Sequence, residues 1–140
     1  MLIWTSVTTT ISPAWYILGH ASHLLSQGAS RPIYFLAKPE HYSESDYKLF
    51  DQTIRYIACD EKYWNKFKPR PKTVPARQLI NLKVARATTC ADWFLHIDSD
   101  EFLQLESGFD EIVNPLPLDV TEIRLQNFER IMFTDASTWH

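Results

Sequence analysis

The chain has 140 residues, 14 lysines and arginines, 17 aspartates and glutamates, and a net charge of −3, which argues against a general nucleic-acid binder. Hydrophobic residues make up 45% and aromatics 14%, a globular composition rather than a disordered one. Its two cysteines, Cys59 and Cys90, provide neither a secreted disulfide framework nor a zinc-ligand spacing.

In chain order, Leu2 to Thr9 is rich in β-formers and reads as a first strand. Ser12 caps a helix with Pro13 in its first turn, followed by AWYILGHASHLLSQ, and Gly28 stands where a helix ends. The stretch Met1 to Ser30 is free of acids and bases, but Pro13, Gly19, His20 and His23 make it too polar to span a bilayer. It lacks the basic start of a signal peptide, and the expectation is a cytoplasmic protein. Pro32 to Ala37 is strand two, and Ser43 or Ser45 caps a short helix through Phe50. Thr53 to Ala58 is strand three, and Lys62 to Pro75, with Pro69, Pro71 and Pro75, reads as a loop in which Trp64 and Phe67 are expected as anchors before groups that stack on a base or touch lipid. Ala76 to Cys90 suits a helix with Leu79, Leu82, Val84 and Ala87 toward the sheet. A strand from Trp93, a helical turn over Phe109 to Val113 and a last strand over Thr121 to Phe128 complete the order. Alternation of this kind predicts an α/β fold: three layers around a mostly parallel sheet, in one domain over residues 1–140. The last strand and TDASTWH run out without a closing helix, which predicts a domain incomplete at its C-terminus and prone to self-association.

Charge is unevenly spread. Lys62 to Arg86 holds eight bases (Lys62, Lys66, Lys68, Arg70, Lys72, Arg77, Lys83, Arg86) and no acid, whereas Asp92 to Glu122 holds nine acids and no base. Such runs form either solvated faces or a site for an anion plus a metal. The acid run opens with WFLHIDSDEFL, Trp93 to Leu103. Its apolar start reads as a strand buried on both faces, and the acids Asp98, Asp100 and Glu101 follow where that strand should end. In open α/β sheets, ligands bind just beyond the carboxyl ends of strands. The three glycines fit neither G-x-G-x-x-G nor G-x-x-x-x-G-K, so a bound diphosphate must be neutralised by other means. Two carboxylates flanking one residue suit Mn²⁺ or Mg²⁺, hard cations that share oxygen ligands with phosphates. The bland alternative for Asp98 and Asp100 is a cap on the following turn. Glu101 reads as a backbone-orienting residue before a ligand, His96 as a hydrogen-bonded core histidine, and Trp15 as core. His20 and His23 share a helix face at i, i+3, with no third residue to complete a zinc set.

ADWFLHIDSDEFL, preceded by RQLINLKVARATTC, resembles the family 2-type glycosyltransferases, whose signature reads roughly A-D-W-x-x-x-x-D-x-D-E-F. The opening TSVTTTISPAWYILGHASHLLSQGASRPIYF is similar in layout to that group's first β-α-β unit. The resemblance implies the donor-binding half of a GT-A fold, as in nucleotide-diphospho-sugar transferases, with a nucleotide-sugar donor and a divalent cation at Asp98 and Asp100. Asp100 would be the direct metal ligand, and Asp98 would approach the ribose or a metal-bound water. Thr8 to Thr10 would border the base, and Gln78 and Asn81 match polar helix positions near the donor. On the same helix, Arg77 or Lys83 is expected to add to diphosphate affinity. Where related enzymes often carry an acid at the end of strand two, this chain reads AKPEHYSESD. The expected activity is metal-dependent sugar transfer to an acceptor hydroxyl, on a glycan or a lipid-linked molecule, with no catalytic base assigned. The alternative is a catalytically incomplete GT-A-like module that binds a nucleotide or a partner. Membrane association is possible but not indicated. A haloacid-dehalogenase-type phosphatase is set aside because its nucleophilic D-x-D belongs on the first strand, with Thr soon after.

Overall fold

A computed structural model describes residues 2–128. Four parallel strands form one sheet in the order β3-β2-β1-β4: β1 (Trp4–Thr10), β2 (Ile33–Leu36), β3 (Arg55–Ala58) and β4 (Trp93–His96). Between them run the helices α1 (Ala14–Ser26), α2 (Glu44–Thr53), α3 (Glu61–Trp64) and α4 (Val74–Thr88), and α5 (Phe109–Val113) follows the sheet. The alternating chemistry of β2 decides the layers. Tyr34 and Leu36 pack against Ile17 and Ala21 of α1 and Phe50 of α2, while Ile33 and Phe35 pack against Tyr63, Trp64 and Ala85 on the other side. Successive strand residues point to opposite faces, so the sheet is covered by helices on both, as the sequence order predicted. Each fully buried ring, such as Phe35 or Phe50, contributes about 2–3 kcal/mol of transfer free energy.

Strand order carries functional weight. The chain steps outward from β1 to β2 to β3, then crosses back to place β4 on the free side of β1. The order reverses between β1 and β4, which opens a crevice at their carboxyl ends.

Several expectations need correction. The basic loop begins with a helical turn, α3, because Asp60 caps it: its carboxylate accepts from the Tyr63 N–H at 2.8 Å. The next helix starts at Val74, two residues early, with Thr73 as cap and Pro75 in its first turn, and it ends at Thr88 rather than Cys90. On it Leu79 and Ala87 face solvent, not the sheet. The second helix runs to Thr53, so β3 starts at Arg55. Among the described residues strand β4 lies at the edge of the sheet, half buried, and His96 on it is exposed rather than held in the core. Trp15 is 73% exposed, not core. Thr121 to Phe128 forms no strand, although Leu125 packs against the Trp4 cluster. The expected TDASTWH ending lies outside the described residues. Gly28 does end the first helix, at φ 94°, a conformation that favours glycine. No helix among the described residues is long and apolar enough to cross a membrane.

Candidate functional site

The ladder between β1 and β4 ends where the Ile97 N–H donates to the Val7 carbonyl at 3.2 Å. Past that point the chain folds into a closed turn. The Glu101 N–H donates to the Asp98 carbonyl at 3.1 Å, and the Asp98 N–H donates to the Glu101 carboxylate at 3.0 Å. Glu101 thus acts as the backbone-orienting residue that the sequence suggested, and its other carboxylate oxygen accepts from the Asn127 amide at 3.3 Å. Asp98 and Asp100 stay exposed on this turn. Among the described residues, no lysine, arginine or histidine nitrogen lies within 4.0 Å of either carboxylate.

Three hydroxyls join the turn to the end of β1. Thr10 Oγ1 donates to Ser99 Oγ at 3.1 Å and accepts from the Ser12 N–H at 2.9 Å, and Ser12 Oγ stands 2.9 Å from Ser99 Oγ. Ser12 is therefore no helix cap; Pro13 occupies that position without a side-chain bond. From the other side, Gln78 Nε2 on α4 donates to Asp98 Oδ1 at 3.2 Å. Asn81, fully buried three residues on, donates to Thr9 Oγ1 at 2.9 Å and accepts from the Tyr63 hydroxyl at 2.7 Å. Its role is to hold β1 and α3 rather than to reach the crevice. Burial pushes the Tyr63 hydroxyl pKa up, and the Cys59 thiol is pushed up to about 12 by the same cause, which leaves that cysteine unreactive. Arg77 turns away from Asp98: its guanidinium lies 5.9 Å from the Trp64 ring centroid, and its Nε donates to the Pro71 carbonyl at 3.1 Å. Lys83 is exposed further along the helix. Thr8 is fully buried, and its hydroxyl has no hydrogen-bond partner among the described residues.

The residues least legible in the sequence are the two histidines of α1. Buried His20 donates from Nε2 to the Glu101 carbonyl at 2.8 Å, which leaves Nδ1 to accept from the Tyr34 hydroxyl at 2.7 Å. His23 donates from Nε2 to the Leu103 carbonyl. The Phe102 ring meets both imidazoles edge-on, with centroids 5.4 Å apart in each case. Desolvation, the largest cause, lowers the His20 pKa below its ordinary 6.5. The i, i+3 spacing was the available signal, and it marked a clamp on the main chain after the acids rather than metal ligation.

Beside Ser12 lies a cavity of about 730 Å³, lined by Trp15, His41, Tyr42 and Asp46 among others. The Tyr42 hydroxyl donates to the Ser12 carbonyl at 2.8 Å, and burial pushes its pKa up to about 12. The cavity thus adjoins the hydroxyl cluster under the acid turn.

The donor chemistry fits a hard divalent cation. Asp98, Asp100 and the hydroxyls offer oxygen only, and two unpaired carboxylates invite a positive charge. Among the described residues no group of three or more His, Cys, Asp or Glu comes together that could hold a metal ion by itself. No family model, curated protein or solved structure matches the chain.

Proposed function

We propose that this chain is the donor-binding part of a metal-dependent glycosyltransferase of GT-A type, which moves a sugar from a nucleoside-diphosphate sugar to an acceptor hydroxyl. The observation that carries the reading is the position of Asp98 and Asp100: exposed and unpaired, on a closed turn at the carboxyl ends of β1 and β4, where the strand order reverses. Asp100 and Asp98 would hold Mn²⁺ or Mg²⁺. That ion, when bound, would offset the charge that develops on the departing diphosphate. Ser99, tied to Thr10 and Ser12, fixes the backbone between the two carboxylates. Gln78 orients Asp98, leaving Asp98 Oδ2 for a ribose hydroxyl or a metal-bound water. The cavity beside Ser12 has room for the base, and exposed Trp15 offers it an aromatic face. Arg77 enters this reading only if it leaves Trp64, and Lys83 is the freer of the two cations expected to favour phosphate.

One observation favours a second reading, a module that binds nucleotide without turnover. Glu101 spends both carboxylate oxygens on the Asp98 N–H and the Asn127 amide, so it does not stand free to accept a proton from an acceptor. Incubation with a panel of nucleotide sugars and Mn²⁺, followed as nucleoside-diphosphate release, separates the two. Release that requires Mn²⁺ and is lost in Asp100→Asn supports the transferase. Nucleotide binding without any release supports the module, and the absence of both contradicts the shared premise of a nucleotide site.

A further inference from the structure

The basic run is not part of the acid turn, and its arrangement points elsewhere. Lys66, Lys68, Arg70 and Lys72 are all exposed on the segment between α3 and α4. Among the described residues the only ion pair is Lys48 with Glu44, so none of these bases is neutralised by a neighbouring carboxylate within 4.0 Å. The acids nearest in sequence, Asp60 and Glu61, precede the run, and Asp60 is engaged in capping α3. The segment is anchored rather than loose. Phe67 packs against the core cluster, and Trp64, 4% exposed, carries the guanidiniums of Arg70 and Arg77 each 5.9 Å from its ring centroid. The same stretch of chain exposes apolar side chains: Val74 is 62% and Leu79 is 54% exposed on α4.

We propose that this face docks on an anionic lipid bilayer surface. Clustered, unpaired bases supply attraction to acidic headgroups, and exposed Val74, two residues after Lys72, supplies an apolar group that can enter the headgroup layer. Nucleic acid fits the same charge less well. A single-strand binder stacks bases on exposed aromatics, and the one tryptophan here is buried under two arginines. Because Gln78 on α4 touches Asp98, docking through α4 would hold the candidate site beside the membrane. The inference does not depend on the sugar-transfer reading.

The test is co-sedimentation of the full chain with vesicles of phosphatidylcholine alone and of phosphatidylcholine mixed with phosphatidylglycerol, at low and high salt. Binding to the acidic vesicles only, weakened by salt, is expected. The triple variant K66E/K68E/K72E should lose about tenfold or more in partitioning, since each base near such a surface carries a substantial share of the attraction. Val74→Ser should weaken binding at both salt concentrations, because its contribution is apolar. All substituted residues are exposed, so thermal unfolding should match the parent protein. Equal binding to neutral and acidic vesicles, no binding to either, or an unchanged triple variant would overturn the proposal. So would retention on homopolymer RNA that the triple variant loses while vesicles bind nothing.

Discussion

The two helical layers treat the acid turn differently. From one side α1 grips its main chain: His20 and His23 donate to the carbonyls of Glu101 and Leu103, and Phe102 lies against both rings. From the other side α4 reaches it with one amide, Gln78, directed at the Asp98 side chain, and spends its buried polar residue, Asn81, on β1 and α3. The difference teaches a division of labour. One layer fixes where the backbone of the turn runs, and the other leaves the carboxylates oriented but open to a ligand. The proposed metal and phosphate site would draw on that combination, because a rigid turn lowers the ordering cost of binding while free oxygens remain to coordinate.

Breaking the stronger grip should have the largest effect. His20→Ala leaves the Tyr34 hydroxyl and the Glu101 carbonyl without their partner and opens a cavity in a fully buried position. About 3 kcal/mol of stability should be lost, read by urea unfolding. A loss below about 1 kcal/mol would show that the clamp is incidental.

On the α4 side Asn81→Leu should cost about 2 kcal/mol, since Thr9 and buried Tyr63 both lose a partner. It should do so without altering nucleotide binding per folded molecule. A selective loss of nucleotide affinity in a stable Asn81→Leu protein would return that residue to the binding site, where the sequence reading had placed it.

The clamp also predicts a pH signature. Because burial holds His20 neutral, its folded pKa lies below 6.5, and between the two values the unfolded chain binds a proton that the folded chain does not. Stability should therefore fall as pH drops below about 6.5, and the loss should stop growing once the folded pKa is passed. The charges around His20 pull in both directions: His23 lowers its pKa, and Asp100 and Glu101 raise it. His20→Gln retains a donor and an acceptor but cannot titrate, so its unfolding midpoint should vary less than the parent's between about pH 7 and pH 5. Parallel curves would refute the assignment.

The smallest effect should come from the hydroxyls. Ser99→Ala removes contacts to Thr10 and Ser12 in a half-exposed place and should cost about 0.5–1 kcal/mol, measurable as a shift in unfolding midpoint.

The layered fold was legible because β-branched runs alternated with helical segments, and Gly28 marked the end of the first helix through its own backbone chemistry. The last strand was not. Thr121 to Phe128 has strand-like composition, but composition reports only that a segment suits a pleated, half-buried surface, and here the segment lies irregularly beside the edge strand. The edge position of β4 also misled the reading of His96, since an apolar run does not reveal which strands have two neighbours. In the site, the spacing drew attention to Asp98 and Asp100, whereas Gln78 was named only through the family resemblance, and its bond to Asp98 Oδ1 is a finding of the structure. The placement of Arg77 against Trp64 was not readable, because that partner lies on another element and was expected only as a loop anchor. The histidine clamp needed main-chain carbonyls about 80 residues away, which no side-chain pattern encodes.

The central claim is that Asp98 and Asp100 form a cation site completed by a diphosphate. Calorimetric titration of Mn²⁺ into the protein, with and without UDP or GDP, tests it most directly in the parent chain and in Asp100→Asn. The account predicts weak binding of Mn²⁺ alone, a gain of about tenfold or more when the nucleotide is present, and loss of that gain in the variant. Equal Mn²⁺ affinity in both proteins, with no response to nucleotide, would contradict it.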